Sequence, residues 1–156
     1  GTGLVGSEMC IRDSFDIVQP DVAFFGEKDY QQYLVIKKMT ESLKLNTRII
    51  CVKTVRDRYG LPLSSRNNYL SSQEFKIAIK INKLLKKLPP LIRTKLKINK
   101  ILNHTKKVLI DHGVDKIDYL TVLNDDLSVR KKISDKSRIF IAAKIGNTRL
   151  IDNIKI

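Results

Sequence analysis

The sequence predicts an α/β fold in which part of a doubly wound parallel sheet precedes a small α+β domain. Two observations lead to this prediction. Apolar runs at residues 22–25 and 49–55 flank a segment with helical period, which is the order of a strand, helix and strand joined by a parallel crossover. Two amphipathic helical segments then precede three β-branched runs, an order typical of helices packed on an antiparallel sheet.

The parallel part begins with a short strand. The continuous apolar run of residues 22–25 is typical of a strand that is buried in a parallel sheet. Between about residues 29 and 45, Val35, Met39 and Leu43 recur every four residues, which predicts a helix whose apolar stripe Leu34 and Ile36 broaden. One crossover cannot close a domain, so we expect the neighbouring strands to come from upstream sequence that is absent here.

The second part begins with helices. Ser71 and Glu74 fit the S-x-x-E capping box that opens a helix, and the pair Pro89 and Pro90 is expected to end it. A further helix is expected to end at Gly113, because glycine readily adopts the left-handed conformation of a helix stop. Antiparallel strands are predicted for residues 117–123, 138–145 and 149–154, with a tight turn at Gly146 and Asn147 between the last two.

Composition excludes several classes of protein. The chain has 42% hydrophobic residues, yet no apolar run approaches the roughly 18 residues of a membrane span, so we expect a globular protein without membrane contact. Two cysteines are too few for a disulfide framework, which favours the cytoplasm. The net charge of +14 is spread over all predicted elements and reads as a solvated basic surface; a basic nucleic-acid-binding module is the alternative.

The first polar loop is FGEKDYQQ, residues 25–32, between the first strand and its helix. Ligands of open α/β sheets bind at this edge, where the start of a helix favours an anion and Lys28 adds a positive charge. Asp29 could accept hydrogen bonds from a ribose, and Gln32 could bind a small polar substrate. The structural alternative is that Asp29 only caps the helix while Lys28 and Gln32 face solvent.

The second polar loop is GLPLSSRNNYLS, residues 60–71, after the second strand. Ser64, Ser65 and Arg66 offer several hydrogen-bond donors without a neighbouring carboxylate, which suits phosphate oxygens. The alternative is a turn whose serines bond the local backbone. Because both loops follow strands of one crossover, we expect them to meet at one sheet edge and to bind one nucleotide.

Four segments resemble the pantothenate synthetase family, in the same order and at matching separations. They are FDIVQPD, FGEKDYQQ, TVRDRYGLPLSSRNNY and RLIDN, which begin at Phe15, Phe25, Thr54 and Arg149. The resemblance covers nearly all of the chain and implies a Rossmann-like, nucleotidyltransferase-type domain. It also implies an AMP-forming ligase that joins pantoate to β-alanine through pantoyl adenylate. Such a ligase uses ATP as a substrate and requires Mg²⁺.

The resemblance also implies roles for individual residues. Lys28, Ser64, Ser65 and Arg66 would act as catalytic groups on the ATP phosphates. The contacts implied for the rest of the nucleotide and for pantoate are Gly26 and Asp29 with the ribose, Val55 and Leu63 with adenine, and Gln32 with pantoate. Residues 15–67 would form the partial nucleotide-binding domain and residues 68–156 a lid, in an enzyme that is usually a homodimer and does not bind nucleic acid.

The chain departs from the family pattern in two places. The Met-Gly and His-x-Gly-His turn of the family has no counterpart, since His104 and His112 lie in a predicted helix of the second domain. We therefore expect a fragment with little or no ligase activity in isolation, or a remnant that folds only with another chain. Residues 1–14 match no family motif, and we leave them unassigned as a segment foreign to the rest.

Overall fold

The computed structural model describes residues 2–94, 97–128, 133–134 and 136–156, and its chain divides into two compact units. Unit 1 is Gly1–Thr54 and unit 2 is Val55–Ile156. Unit 2 thus includes the whole second polar loop, whereas the sequence suggests a boundary after residue 67. The functional division into a nucleotide-binding domain and a lid stays a prediction. Among the described residues, no helix is both long and apolar enough to cross a membrane.

Unit 1 contains a parallel strand–helix–strand crossover. Its elements are α1 (Thr2–Val18), β1 (Val22–Gly26), α2 (Tyr30–Ser42) and β2 (Arg48–Val52). The strands pair in parallel from Val22 opposite Arg48 to Gly26 opposite Val52, as the predicted crossover requires.

The core face of α2 matches the predicted stripe at Ile36 and departs from it near the end of the helix. Ile36 is fully buried and Thr40 nearly so, whereas Leu43 follows the last helical residue and is 42% exposed. The helix ends at Ser42, earlier than the periodicity suggests, and Lys44 adopts φ +52 in the turn before β2. Sequence spacing therefore identified the helix and included the buried Ile36, but it extended the stripe to the exposed Leu43 and did not include Thr40.

Unit 2 is a helical pair with a three-stranded antiparallel sheet, which confirms the predicted α+β arrangement. Its elements are α3 (Ser72–Arg93), α4 (Ile98–Asp111), β3 (Lys116–Asn124), β4 (Ser137–Ile145) and β5 (Thr148–Lys155). The sheet order is β3-β4-β5, with Ile145 opposite Thr148 at the turn between the last two strands. Gly146 has φ +55 there, and a Cβ at this position would collide with the Glu74 carboxylate, so the turn requires glycine.

The core of unit 2 lies around the central strand. Every residue of β4 except Lys144 is buried, and Ile139 and Ile141 belong to the same apolar cluster as Leu85 of α3 and Leu109 of α4. Burial of each such side chain stabilises the fold by about 1.5–3 kcal/mol. This sheet and helix pair therefore form a firm base for the loops attached to them.

Helix α3 contradicts the prediction that Pro89 and Pro90 end it, because the helix continues to Arg93. Proline in a helix interior costs about 3 kcal/mol. On either side of the prolines, Leu88 and Ile92 are both buried in the core of unit 2, and their burial contributes about 1.5–3 kcal/mol each. Tertiary packing thus outweighs the local preference for a break.

The predicted start of α3 is confirmed. The Ser71 hydroxyl accepts a hydrogen bond from the Glu74 N–H at 3.3 Å, and the Glu74 carboxylate accepts one from the Ser71 N–H at 2.7 Å. These two bonds satisfy donors that a helix start otherwise leaves without partners. They also hold the end of the second polar loop against the first turn of α3.

Candidate nucleotide-binding residues

The first polar loop folds into a single 3-10 turn between β1 and α2. Gly26 is the last residue of β1, Glu27–Asp29 form the turn, and α2 begins at Tyr30. Lys28 therefore lies directly before the amino-terminal end of a helix, where the helix dipole favours an anion. Gln32 follows in the first turn of α2 and is half-buried.

Lys28 and Asp29 form an ion pair in this turn. The Lys28 Nζ lies 3.8 Å from the Asp29 Oδ2, with the Lys28 side chain 20% exposed. Asp29 occupies the N-cap position of α2, but its side chain makes no capping hydrogen bond. The simple reading of Asp29 as a helix cap therefore does not describe its side chain, whose carboxylate is half-exposed beside the lysine.

Glu27 is a residue of this turn to which the sequence analysis assigned no role. Its Oε2 accepts a hydrogen bond from the Thr54 N–H at 3.4 Å, which joins the loop after β1 to the segment after β2. The side-chain hydroxyl of the same Thr54 is buried without a hydrogen-bond partner among the described residues. The only sequence signal for Glu27 was its place directly after the strand, which is too general to assign a contact.

The start of unit 2 is a tight hairpin, which we call hairpin 55–63. The Leu63 N–H donates to the Val55 carbonyl at 3.0 Å, and the Asp57 N–H donates to the Leu61 carbonyl at 2.9 Å. An isolated bridge pairs Arg56 with Pro62 between them. The sequence suggested an irregular loop here, and the structure replaces it with an ordered turn of defined sides.

One side of hairpin 55–63 is exposed and apolar. Val55 is 63% exposed and Leu63 is 56% exposed, and the hydrogen bond between their backbones places them opposite each other. Opposed residues of an antiparallel pair project to the same side. The two predicted adenine contacts therefore lie side by side and form an exposed apolar surface on which a flat aromatic ring could pack.

The Ser-Ser-Arg segment continues directly from this hairpin into a 3-10 turn, Ser65–Tyr69. The Ser64 hydroxyl accepts a hydrogen bond from the Arg66 N–H at 3.3 Å, so for Ser64 the local turn-forming role is real. The Asn67 side-chain amide donates to the Pro62 carbonyl at 2.9 Å and ties the turn to the hairpin. Ser65 and Arg66 are exposed at the start of this turn.

The predicted residues thus form two groups, one in each unit. Gly26, Lys28, Asp29 and Gln32 cluster at the end of β1, while Val55, Leu63 and the Ser-Ser-Arg segment follow one another along hairpin 55–63. The expectation that Lys28 and Arg66 meet at one nucleotide stays a prediction. Within the described part of the chain, no group of three or more His, Cys, Asp or Glu side chains could hold a metal ion.

Together, the parallel crossover and the antiparallel second unit define an α/β protein whose polar loops follow the ends of its parallel strands. The family model described as pantoate-beta-alanine ligase matches residues 6–155. The chain therefore belongs to the pantoate-beta-alanine ligase family, and the resemblance drawn from its motifs is confirmed. The match includes residues 6–14, which the motifs left unassigned and which here form part of α1.

Similar proteins in other organisms carry the same name. The pantothenate synthetase of Shewanella oneidensis is 41% identical over 142 residues, which are 90% of this chain and 50% of that protein. The pantothenate synthetase of Buchnera aphidicola from the pea aphid (Acyrthosiphon pisum) is 42% identical over 158 residues, covering 97% of this chain and 54% of that protein. The chain thus spans about half the length of the curated relatives that it matches.

Solved structures of the family share the fold. The pantothenate synthetase of Thermus thermophilus matches with a TM-score of 0.87 at 32% identity, over 96% of this chain and 55% of that one. The pantoate-beta-alanine ligase of Francisella tularensis, solved in complex with beta-gamma ATP and beta-alanine, matches with a TM-score of 0.72 at 32% identity. It covers 95% of this chain and 48% of that one.

Proposed function

We propose that this chain forms the carboxy-terminal part of an ATP-dependent ligase that joins pantoate to β-alanine, a step of pantothenate biosynthesis. The observation that carries the proposal is the family match over residues 6–155, which includes both polar loops. The Francisella tularensis structure, whose ligands are beta-gamma ATP and beta-alanine, supports the choice of substrates. The whole enzyme is expected to be a cytoplasmic homodimer that acts on small molecules.

The proposed reaction has two steps. A pantoate carboxylate oxygen attacks the α-phosphorus of ATP, a new P–O bond forms, and the bond to the bridging oxygen breaks so that pyrophosphate leaves. The amine of β-alanine then attacks the acyl carbon of pantoyl adenylate, the C–O bond to AMP breaks, and the amine loses its proton as the amide forms. Negative charge grows on the phosphate oxygens in the first step, so fixed cations there stabilise the transition state.

In unit 1, the proposed roles are phosphate binding by Lys28, ribose contacts by Gly26 and Asp29, and pantoate binding by Gln32. Lys28 stands before the amino-terminal end of α2, which adds the field of the helix dipole to its own charge. The Lys28 Nζ lies 3.8 Å from the Asp29 carboxylate, which is long for an ion pair. A phosphate oxygen could therefore readily take the place of that carboxylate. Asp29 would then turn to the ribose hydroxyls.

In unit 2, the proposed nucleotide contacts lie in hairpin 55–63 and the following turn. Val55 and Leu63 offer an exposed apolar surface for adenine. Ser64, Ser65 and Arg66 follow directly and would donate hydrogen bonds to the phosphates, with Arg66 able to bind two oxygens at once. Mg²⁺ would arrive bound to the ATP phosphates, and residues 68–156 would act as a lid.

The proposal also accounts for the exposed side of the parallel sheet in unit 1. Parallel sheets are normally covered on both faces, yet Phe24 of β1 is 67% exposed and Val52 of β2 is 43% exposed. The chain spans about half of its relatives, and we propose that the remaining half covers these side chains and completes the active site. The chain alone should therefore bind ATP weakly and show little or no turnover.

A titration of the chain with Mg·ATP, followed by its backbone amide resonances, tests this proposal. We expect shifts at residues 26–32 and 64–66 in the millimolar range. Lys28→Gln and Arg66→Gln should each raise the dissociation constant for Mg·ATP by about tenfold. The reason is that a hydrogen bond to a charged group contributes about 1.5–3 kcal/mol. The controls Lys37→Gln and Arg93→Gln remove exposed charges elsewhere and should change nothing.

Two results would count against the proposal. An absence of shifts in both segments would remove the nucleotide site. Formation of pantothenate by the isolated chain at the rate of a full-length relative would contradict the claim that half of the site is missing.

A second candidate function, polyanion binding, rests on the exposed face of α3. Lys76, Lys80, Lys83 and Lys87 are exposed at intervals of four, three and four residues, which places them along one line of the helix. Such a line suits the phosphates of a single-stranded nucleic acid. Binding should weaken steeply with salt and should be lost when these four lysines become glutamine. Salt-independent or undetectable binding would reject this function.

A further inference from the structure

A partly buried ion pair holds hairpin 55–63 from its inner side. The two terminal nitrogens of Arg56 each donate to one oxygen of the Asp152 carboxylate, both at 2.8 Å, and the Arg56 Nη1 also donates to the Gly60 carbonyl at 3.0 Å. The Asp152 side chain is 6% exposed. This two-bonded geometry fixes the orientation of the guanidinium group as well as its distance.

The same carboxylate is bound from α3 and from its own strand. The side-chain amide of Asn82, which is 1% exposed, donates to the Asp152 Oδ2 at 3.3 Å. The Asn153 N–H donates to the Asp152 Oδ1 at 2.8 Å. Asp152 therefore receives four donors, and it links β5, α3 and hairpin 55–63 through one buried group.

The hairpin has an inner side that these groups hold and an outer side that they leave open. Gly60, Leu61 and Pro62 are buried, whereas Val55 and Leu63 are exposed on the side proposed for adenine. Gly60 has φ +88, and a Cβ there would lie 2.5 Å from the Asn82 Oδ1. The backbone of the hairpin thus rests directly on the amide of α3.

We propose that Arg56, Asp152 and Asn82 form a positioning clamp that holds hairpin 55–63, and the Ser-Ser-Arg segment after it, in the conformation that binds the nucleotide. This inference rests on the proposed function of that segment. An ion pair that is largely removed from water is a poor source of stability, since apolar residues of similar volume are often as good or better. What the pair supplies is a defined orientation, which lowers the entropy lost when a loop binds its ligand.

The test compares a clamp variant with a core variant of unit 2. Arg56→Lys keeps the charge and loses the paired geometry, whereas Leu85→Ala destabilises the core without touching the clamp, since Leu85 is fully buried in the apolar cluster. Amide hydrogen exchange of Asp57 and Leu63, whose N–H groups bond within the hairpin, reports its local opening. A titration with Mg·ATP, followed by the Ser65 and Arg66 amide resonances, reports nucleotide affinity.

We expect Arg56→Lys to speed exchange of the hairpin amides by about tenfold more than exchange of the β4 amides, and to weaken Mg·ATP binding by about fivefold. Leu85→Ala should speed exchange in β4 and leave the affinity of the folded chain unchanged. Asp152→Asn, which preserves the side-chain shape, should act like Arg56→Lys. Arg149→Gln, which breaks the exposed pair with Asp118 on the same sheet, should affect neither measurement.

The outcomes separate the clamp from the proposed function. Equal responses of Arg56→Lys and Leu85→Ala, or an unchanged affinity in Arg56→Lys, would overturn the clamp. If the unsubstituted chain gives no shifts with Mg·ATP, the proposed function fails, and the exchange measurement still judges the clamp. Selective opening of the hairpin in Arg56→Lys would then support the claim that the clamp holds the hairpin in place. If the hairpin did not open selectively, that claim would be overturned as well.

Discussion

Replacement of Gly60 by alanine tests how closely hairpin 55–63 rests on α3. The residue has φ +88, a conformation that costs an L-residue about 1–2 kcal/mol. The added Cβ would also lie 2.5 Å from the Asn82 Oδ1, so the amide must move away from Asp152 and lose a hydrogen bond to a charged group, at a cost of about 1.5–3 kcal/mol. We expect Gly60→Ala to lower the free energy of unfolding of unit 2 by about 2.5–5 kcal/mol in total.

A double-mutant cycle with Asn82→Ala separates the two contributions. Without the Asn82 side chain the new Cβ meets no amide, so Gly60→Ala should cost only the backbone strain of about 1–2 kcal/mol in that background. Gly26→Ala is the matched control, because Gly26 has φ −70 and no atom lies within 4 Å of its Cβ position. That substitution should be neutral or slightly stabilising for unit 1.

Hydrogen exchange of the β4 amides, measured at increasing urea concentration, follows unit 2 separately from unit 1. A cost of Gly60→Ala below about 0.5 kcal/mol would show that the hairpin does not approach α3 closely. An equal cost in both backgrounds would show that Asn82 plays no part in it. Either result would refute the reasoning above.

Three further predictions concern α3. Ser71→Ala removes the hydroxyl that caps the helix and should lower the free energy of unfolding of unit 2 by about 1 kcal/mol in urea titrations. Hydrogen bonds with the Ser71 backbone and side chain hold the pKa of Glu74 below its ordinary value of 4.5, against desolvation and the charge of Asp115. The stability that the Glu74 carboxylate contributes should therefore be complete above that ordinary value and lost as the pH falls through the folded-state pKa. Glu74→Gln should flatten this pH dependence, and an unchanged acid profile would refute it. Pro90→Ala restores a helical N–H at an exposed position and should raise the free energy of unfolding by about 1–3 kcal/mol; a loss of stability would show that α3 requires the proline.

Local patterns predicted most of the elements in this fold. The apolar runs gave the two parallel strands, the S-x-x-E pattern gave the start of α3, and the Gly146 turn gave the β4-β5 hairpin. Each of these depends on residues that are close in sequence or repeat with a regular period. The continuation of α3 past Pro89 could not be predicted, because it depends on core contacts of Leu88 and Ile92 made by distant strands.

The candidate site residues were named from the sequence and stay a prediction, whereas their local geometry came only from the structure. Motif resemblance identified the Lys28 loop and the Ser-Ser-Arg segment, and the structure adds that Val55 and Leu63 share one exposed side of a hairpin. Arg56 stood inside a recognised motif without a role, because its partner Asp152 lies 96 residues further along the chain. A single sequence contains no signal for a contact over that separation.

That separation of 96 residues has a consequence for biosynthesis. A ribosome adds about 5–20 residues per second, so Arg56 leaves the peptidyl-transfer centre several seconds or more before Asp152 exists. During that interval the Arg56 guanidinium group cannot pair with Asp152, and α3 can form with Asn82 before the strand that completes the contact. Hairpin 55–63 and the Ser-Ser-Arg segment are therefore expected to be among the last parts of the nascent polypeptide to reach their final conformation. Until then, proteases that cleave after Arg58 or Arg66 should have access to them.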